Sequence, residues 1–338
     1  MTRVETIKLH SLKIDAHFDL LMDVSFQREK GRTKVIETDY WPRFIEGGVD
    51  AIIASVFLDS RFLPEMALRK ALNQVSCLYE EAGESPDKLV ICRNSEEMVA
   101  AKKQGKIGFL LSLEGAEPIG EDLTLLRVFF ELGVRNLGLV WSRRNAVGDG
   151  SHFGPICEGK KGGITPFGVE LIEEAQKLGM TIDVSHLNDE GFWDVMEISK
   201  KPFIASHSNA RKLSPTLRNL TDEQIKAIAS RGGVIGVNAV STIVAEKDED
   251  SHLEQLLHHI DHMVKLVGID YVGIGLDLCN DFYKYISPED LAKMPRKAFD
   301  VVDGHQNFMK VIEGLISRGY SDEDIEKIEG GNFLRIFT

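Results

Sequence analysis

The chain has 338 residues, 43% of them hydrophobic and 28% charged, a globular composition with length for one α/β barrel or two average domains. Its net charge of −13 speaks against a nucleic-acid backbone as ligand. The four cysteines, Cys77, Cys92, Cys157 and Cys279, are widely spaced and form no C-x-x-C pair, so they suggest neither a cysteine zinc site nor a disulfide framework and fit a reducing compartment. The opening stretch MTRVETIKLHSLKID carries no signal-peptide apolar run, and no segment reaches the ~18–20 apolar residues of a membrane span. The expectation is a cytoplasmic protein with neither nucleic-acid nor membrane partners.

Along the chain, short apolar runs alternate with amphipathic stretches, the pattern of βα units around a parallel sheet. Candidate strands are LKIDAH (12–17), DAIIASVF (50–57), IGFLLSLE (107–114), VRNLGLVW (134–141), MTIDVSH (180–186), PFIASH (202–207), GVIGVNA (233–239) and DYVGIGLD (270–277). A ninth run, KLVICR (88–93), reads as peripheral. KKGG (160–163) reads as a turn, because no strand precedes it as in a phosphate loop. Thr165, Pro166 and Gly179 bracket a helix as N-cap, first residue and stop. LTDEQIKAIASRGG (220–233) repeats that logic with a Thr-x-x-Gln capping box. The acidic run EKDED (246–250) reads as a solvated loop before a helix from 252, whose His258 and His262 fall on its polar face. Eight strands with interleaved helices favour a (β/α)8 TIM barrel of one domain, residues 1–338, over an open doubly wound sheet.

Polar residues collect where the candidate strands end. His17 and Asp19 follow the first, Glu114 the third, His186 the fifth, His207 the sixth and Asp277 the eighth. Alone, each has an ordinary structural explanation: a helix cap, a satisfied core histidine, a turn. In a barrel all these ends open on one face, where such enzymes keep their active sites. Imidazoles and carboxylates there suit two divalent ions ~3.5–4 Å apart, which activate water without a protein nucleophile. No G-x-S-x-G elbow is present.

The motifs DAHFDL, SLEG, DVSH, SHSNAR, GIGLDLCND and the terminal GGNFLRIF, spread over residues 12–337, resemble the membrane dipeptidase (renal dipeptidase) family of metallopeptidases within the amidohydrolase-like barrels. The resemblance implies that His17 and Asp19 bind one zinc or other divalent ion, His186 and His207 a second, and Glu114 bridges them. It implies Asp277 as the catalytic acid/base, and Arg218, with Asn219 beside it, as the grip on the substrate carboxylate. It further implies a small dipeptide as substrate, C-terminal D-residues included, and a homodimer. Trp141 stands where the family's best-known members have a substrate-binding histidine, with Arg143 and Arg144 as neighbouring sources of positive charge. The ending RIFT lacks the apolar tail of a lipid-anchored protein and resembles the soluble bacterial relatives. Another amidohydrolase, such as an N-acyl amino acid deacylase or a lactonase, and a catalytically inactive binding barrel stay open on sequence alone.

Overall fold

The computed structural model describes residues 3–4, 7, 11–153, 162–281 and 283–338, so Cys157 and the first half of the KKGG turn lie outside the described residues. Six parallel strands run side by side in the order β1 (Ile14–Phe18), β2 (Ala51–Phe57), β4 (Ile107–Glu114), β5 (Val134–Gly138), β6 (Thr181–Asp183) and β7 (Phe203–Ile204). The parallel pair β8 (Ile235–Val237) and β9 (Val272–Ile274) completes the ring. An Ala205–Ile235 bridge joins β7 to β8, and the Asp277 N–H donates to the His17 carbonyl at 3.2 Å to join β9 to β1. β3 (Leu89–Cys92) stays off this path, pairing with the first half of β4 on the edge that β5 uses further along. The ninth strand is thus peripheral, and the architecture is a TIM-barrel-like α/β fold.

The strands are apolar almost throughout because both faces are covered. Ile52, Ala54 and Val56 of β2 pack in the larger core cluster with helix residues such as Leu21, Phe44 and Leu78. The alternate residues Ala51 and Ile53 pack with Ile14, Leu110 and Phe333 in a second cluster. Phe333 comes from GGNFLRIF, whose Asn332 amide donates to the carbonyls of Ile269 and Val272 at 2.8 and 2.7 Å. Where strands β7 to β9 crowd together, a Cβ on Gly236 or Gly275 would collide with the Ser206 carbonyl, so only glycine fits.

The capped helices form as read. Thr165 accepts from the Gly168 N–H at 3.0 Å ahead of the helix Pro166–Leu178, and Gly179 ends it at φ +87°. Thr221 and Gln224 make the reciprocal capping box of the helix Asp222–Ser230. Residues 246–250 are exposed, and the following helix is Leu253–Val267. His258 is exposed on that helix and His262 pairs with Asp222 at 2.7 Å, away from the strand ends. Among the described residues no helix is long and apolar enough to cross a membrane.

Several strands are shorter than the sequence suggests. The ladder stops at Gly138, Asp183, Ile204 and Ile274, so Trp141, His186, His207 and Asp277 sit on the loops just beyond. The reason is backbone conformation and a substituted hydrogen-bond partner. His186 and Asp277 adopt φ of +68° and +56°, a left-handed geometry that no strand continues through. In place of ladder carbonyls, the buried Asp183 carboxylate accepts from the N–H groups of Ser185 and Ser206, both at 3.0 Å, and from the Asn136 amide at 3.2 Å. Asp15 does the same for the barrel's closing seam, accepting from the Leu276 N–H at 2.7 Å and from His305 Nε2 at 2.7 Å.

Asp183→Ala should therefore lower stability in urea unfolding by roughly 3 kcal/mol, since it strands buried N–H donors. Asp183→Asn should recover most of that loss, because Asn136 Oδ1 is buried without a hydrogen bond and an amide flip would let it accept from the new NH2 group. Equal losses in the two variants would refute the clamp.

Candidate metal centre

The barrel mouth brings the six strand-end residues to one point. His17 Nε2 lies 3.5 Å from Asp19 Oδ1, 3.7 Å from Glu114 Oε1 and 3.8 Å from Asp277 Oδ1. Glu114 Oε1 is 2.8 Å from His186 Nε2 and 3.8 Å from His207 Nε2. The His186 and His207 Nε2 atoms face each other at 2.8 Å, and the His17 and His207 ring centroids lie 3.7 Å apart with the rings tilted by 32°. Two trios, His17–Glu114–His207 and His17–Asp19–Asp277, keep their ligand-type atoms within 4.8 Å of one another. Glu114 is central by position, touching all three imidazoles.

The surrounding polar residues aim these groups. The Ser142 hydroxyl pairs with His186 Nδ1 and the Ser206 hydroxyl with His207 Nδ1, both at 2.8 Å, which turns each Nε2 toward the centre. The Asn238 amide donates to Asp277 Oδ2 at 2.8 Å, leaving Oδ1 toward His17. These partners carried no spacing signal in the sequence. Asp15 and Asp183 did carry one, as charged residues inside otherwise apolar strands, where burial demands a partner.

Electrostatically the protein atoms alone are badly matched. Burial disfavours the His17 imidazolium, yet Asp19, Glu114 and Asp277 outweigh it and raise His17 to about 10. Burial and the Asp19 charge push Glu114 well above the usual carboxylate range. Burial likewise lifts Asp277, to about 7, against the pull of His17. His186 and His207 are driven well down by burial and by the nearby cations. Both His17 ring nitrogens, Asp19 Oδ1 and Glu114 Oε2 are buried and make no hydrogen bond. Buried polar atoms are ordinarily satisfied, so a cluster of exceptions aimed at one centre fits divalent cations. Neutral imidazoles with carboxylates are a donor set that zinc accepts.

A cavity opens from this centre, lined by Asp19, Glu114, His186, Asp277, Arg218 and Trp141 among others. Arg218 is 3% exposed; one of its terminal nitrogens donates to the His207 carbonyl at 3.3 Å, while its Nε makes no hydrogen bond. Burial lowers its guanidinium to about 10. Asn219 does not line the cavity. Its amide donates to the carbonyls of Ser214 and Ile243, both at 2.9 Å, and its oxygen accepts from the Asn209 N–H at 3.1 Å. The expected substrate contact at Asn219 is thereby replaced by a strut beneath Arg218. Arg143 and Arg144 do not line the cavity either: Arg143 pairs with Glu117 at 2.7 Å behind Trp141, and Arg144 pairs with Asp149. Arg211 forks onto Asp189 at 2.7 Å through both terminal nitrogens, a structural use.

The family model described as membrane dipeptidase (peptidase family M19) matches residues 1–338. The chain is similar to dipeptidase tcpJ of Claviceps purpurea, with 25% identity over 332 residues that cover 96% of this chain and 73% of that one. Its fold matches that of dipeptidase AC, a metallo peptidase of family M19, at a TM-score of 0.84 and 28% identity, covering 97% of this chain and 98% of the other. It also matches a metallo peptidase from Rhodobacter sphaeroides, solved with a phosphinate mimic of the dipeptide L-Ala-D-Ala, at a TM-score of 0.83, 26% identity and 97% and 99% coverage. A barrel with convergent metal-type ligands, matched from end to end, belongs to the membrane dipeptidase family, peptidase family M19, and is a metallo-dipeptidase of that family.

Proposed function

We propose that the protein hydrolyses the peptide bond of free dipeptides, C-terminal D-residues included, using two zinc or other divalent ions. The carrying observation is the convergence of His17, Asp19, Glu114, His186, His207 and Asp277 on one point, where both His17 ring nitrogens, Asp19 Oδ1 and Glu114 Oε2 are buried without a hydrogen bond. His17 and Asp19 would hold one ion, His186 and His207 the other, and Glu114 would bridge them. When bound, such ions polarise a carbonyl and make water acidic enough to attack near neutral pH. The dipeptide mimic bound by the Rhodobacter sphaeroides relative supports the C-terminal D-residue. The thiols of Cys77, Cys92 and Cys279 are free, which supports a reducing, cytoplasmic setting.

The chain's own groups then divide the work. Arg218, at the cavity wall, takes the substrate carboxylate in a charge-assisted contact and so sets the distance from chain end to scissile bond. That explains how an acidic protein accepts a substrate's free carboxylate. Asp277, aimed by Asn238, takes the proton of the attacking water and returns it to the leaving amine. A panel of L,L and L,D dipeptides set against N-acyl amino acids tests the reading: cleavage of the acyl compounds alone would overturn it.

Three variants test the parts. Glu114→Ala should lose both ions by elemental analysis, whereas a wild-type content of at most one, unchanged in the variant, would remove the bridging role. Asp277→Asn should keep its metal while kcat falls about 10²–10⁴-fold; near-normal turnover at full metal content would refute a proton-transfer role. Arg218→Ala should lower kcat/KM by about ten- to two-hundredfold, the worth of a charge-assisted hydrogen bond. Arg218→Lys should rescue only in part. Wild type should discriminate against a dipeptide amide and Arg218→Ala should not; a variant that keeps the full preference for the free acid would show that another cation reads the carboxylate.

A further inference from the structure

Beyond its reacting end, the cavity changes character. The charged groups lining it are Asp19, Glu114, His186, Arg218 and Asp277, all drawn together at the metal centre or beside it. The rest of the lining is mostly apolar wall and roof, with Thr242, Cys279 and Tyr283 as its polar members. Trp141, 5% exposed, packs its ring 5.3 Å from Phe57, 5.9 Å from Phe153 and 5.9 Å from His186, so the wall begins directly at a candidate metal ligand. Arg143 sits 4.9 Å behind the indole and is fixed by Glu117 and by the Leu58 carbonyl at 2.8 Å, which holds Trp141 in place without offering its charge to the cavity.

The roof comes from the segment after β9, through Ile286, Met294 and Ala298. Two buried carboxylates staple it to the loop after β2. Asp59 accepts from the Ser287 N–H at 2.7 Å, and Asp290 accepts from the Ser60 N–H and hydroxyl at 3.0 and 2.8 Å. Tyr283 also lines the cavity, but its hydroxyl is engaged inside the roof. It donates to Met294 Sδ at 2.7 Å and accepts from the Ala298 N–H at 3.2 Å, so the phenol's polar end is not on offer. A chamber whose lining beyond the metal centre is mostly apolar selects by what it fails to solvate.

Resting on the dipeptidase reading, we infer that this chamber receives a substrate side chain and restricts the enzyme to dipeptides carrying a bulky apolar residue, with Trp141 as the specificity-determining wall. A charged side chain placed there would lose its water and find no counter-charge that is not already engaged at the reacting end. The carboxylate and the scissile bond stay with Arg218 and the metal centre.

The test is kcat/KM on matched dipeptides in which leucine and aspartate, of similar size, exchange at either position: Leu-Ala against Asp-Ala, and Ala-Leu against Ala-Asp. The metal-loaded enzyme should favour leucine at one position by at least about a hundredfold, and Trp141→Ala should shrink that ratio to about tenfold or less. Equal turnover of the leucine and aspartate members at both positions would overturn the inference while leaving the dipeptidase reading intact. So would a leucine preference unchanged in Trp141→Ala and in Ile243→Ala, the second variant guarding against a misfolded first. If no dipeptide is cut, the dipeptidase reading itself falls. Calorimetric titration of the same dipeptides onto the intact protein then decides the chamber: tighter leucine binding upholds it and equal binding overturns it.

Discussion

Three carboxylates, Asp19, Glu114 and Asp277, stand within 4 Å of one imidazole, His17, at the mouth of the barrel. Asp19 and Asp277 keep carboxylate oxygens within 4.8 Å of each other, and like charges that close repel by about 3.5 kcal/mol even at an effective dielectric near 20. Protonating His17 relieves only part of this, as the raised carboxyl affinities of Glu114 and Asp277 show. The rest of the architecture can be understood as what holds this unfavourable cluster in place until cations neutralise it.

Two buried aspartates do much of that holding, and they do it in the same way on opposite sides of the ring. Asp183 binds the N–H of Ser185, immediately before the strained His186. Asp15 binds the N–H of Leu276, immediately before the strained Asp277. In each case a side-chain acceptor substitutes for the next rung of the ladder, so the strand ends where its functional residue must turn inward. Left-handed backbone at a non-glycine residue persists only where surroundings over-determine it, and here they do. Asp15 also ties this seam to His305 and thereby to the aromatic pair Phe18 and Phe44, so the site leans on the helix layer as well as on the sheet.

The cavity couples this charged end to an apolar one within a single space. Trp141 is the hinge between the two, its ring against His186 on one side and against Phe57 and Phe153 on the other. Arg218 reaches the same space because its loop is pinned by Asn219, whose side-chain polar atoms are all spent on backbone. Under the proposed function, binding energy gathered along the chamber would be delivered to a scissile bond that Arg218 holds by the substrate carboxylate. Remote contacts serve catalysis in this manner.

Sequence by itself determined the parallel αβ pattern, the helix caps at Thr165 and Thr221, and the set of ligand-type residues at strand ends. Those signals are local: hydrophobic period, capping chemistry and residue type depend on near neighbours in the chain. It did not reveal where strands stop, since Trp141, His186, His207 and Asp277 extend apolar runs that read as strand, and left-handed backbone leaves no periodic trace. Nor did it reveal that Asn219 is a strut, that Arg143 is sequestered behind Trp141, or that residues 283–298 roof the cavity. Only tertiary structure decided these, because each depends on hydrogen bonds and contacts between segments tens to hundreds of residues apart. Asp59 with Ser287 and Asp15 with Leu276 are such pairs, and no pattern along one segment encodes its distant partner.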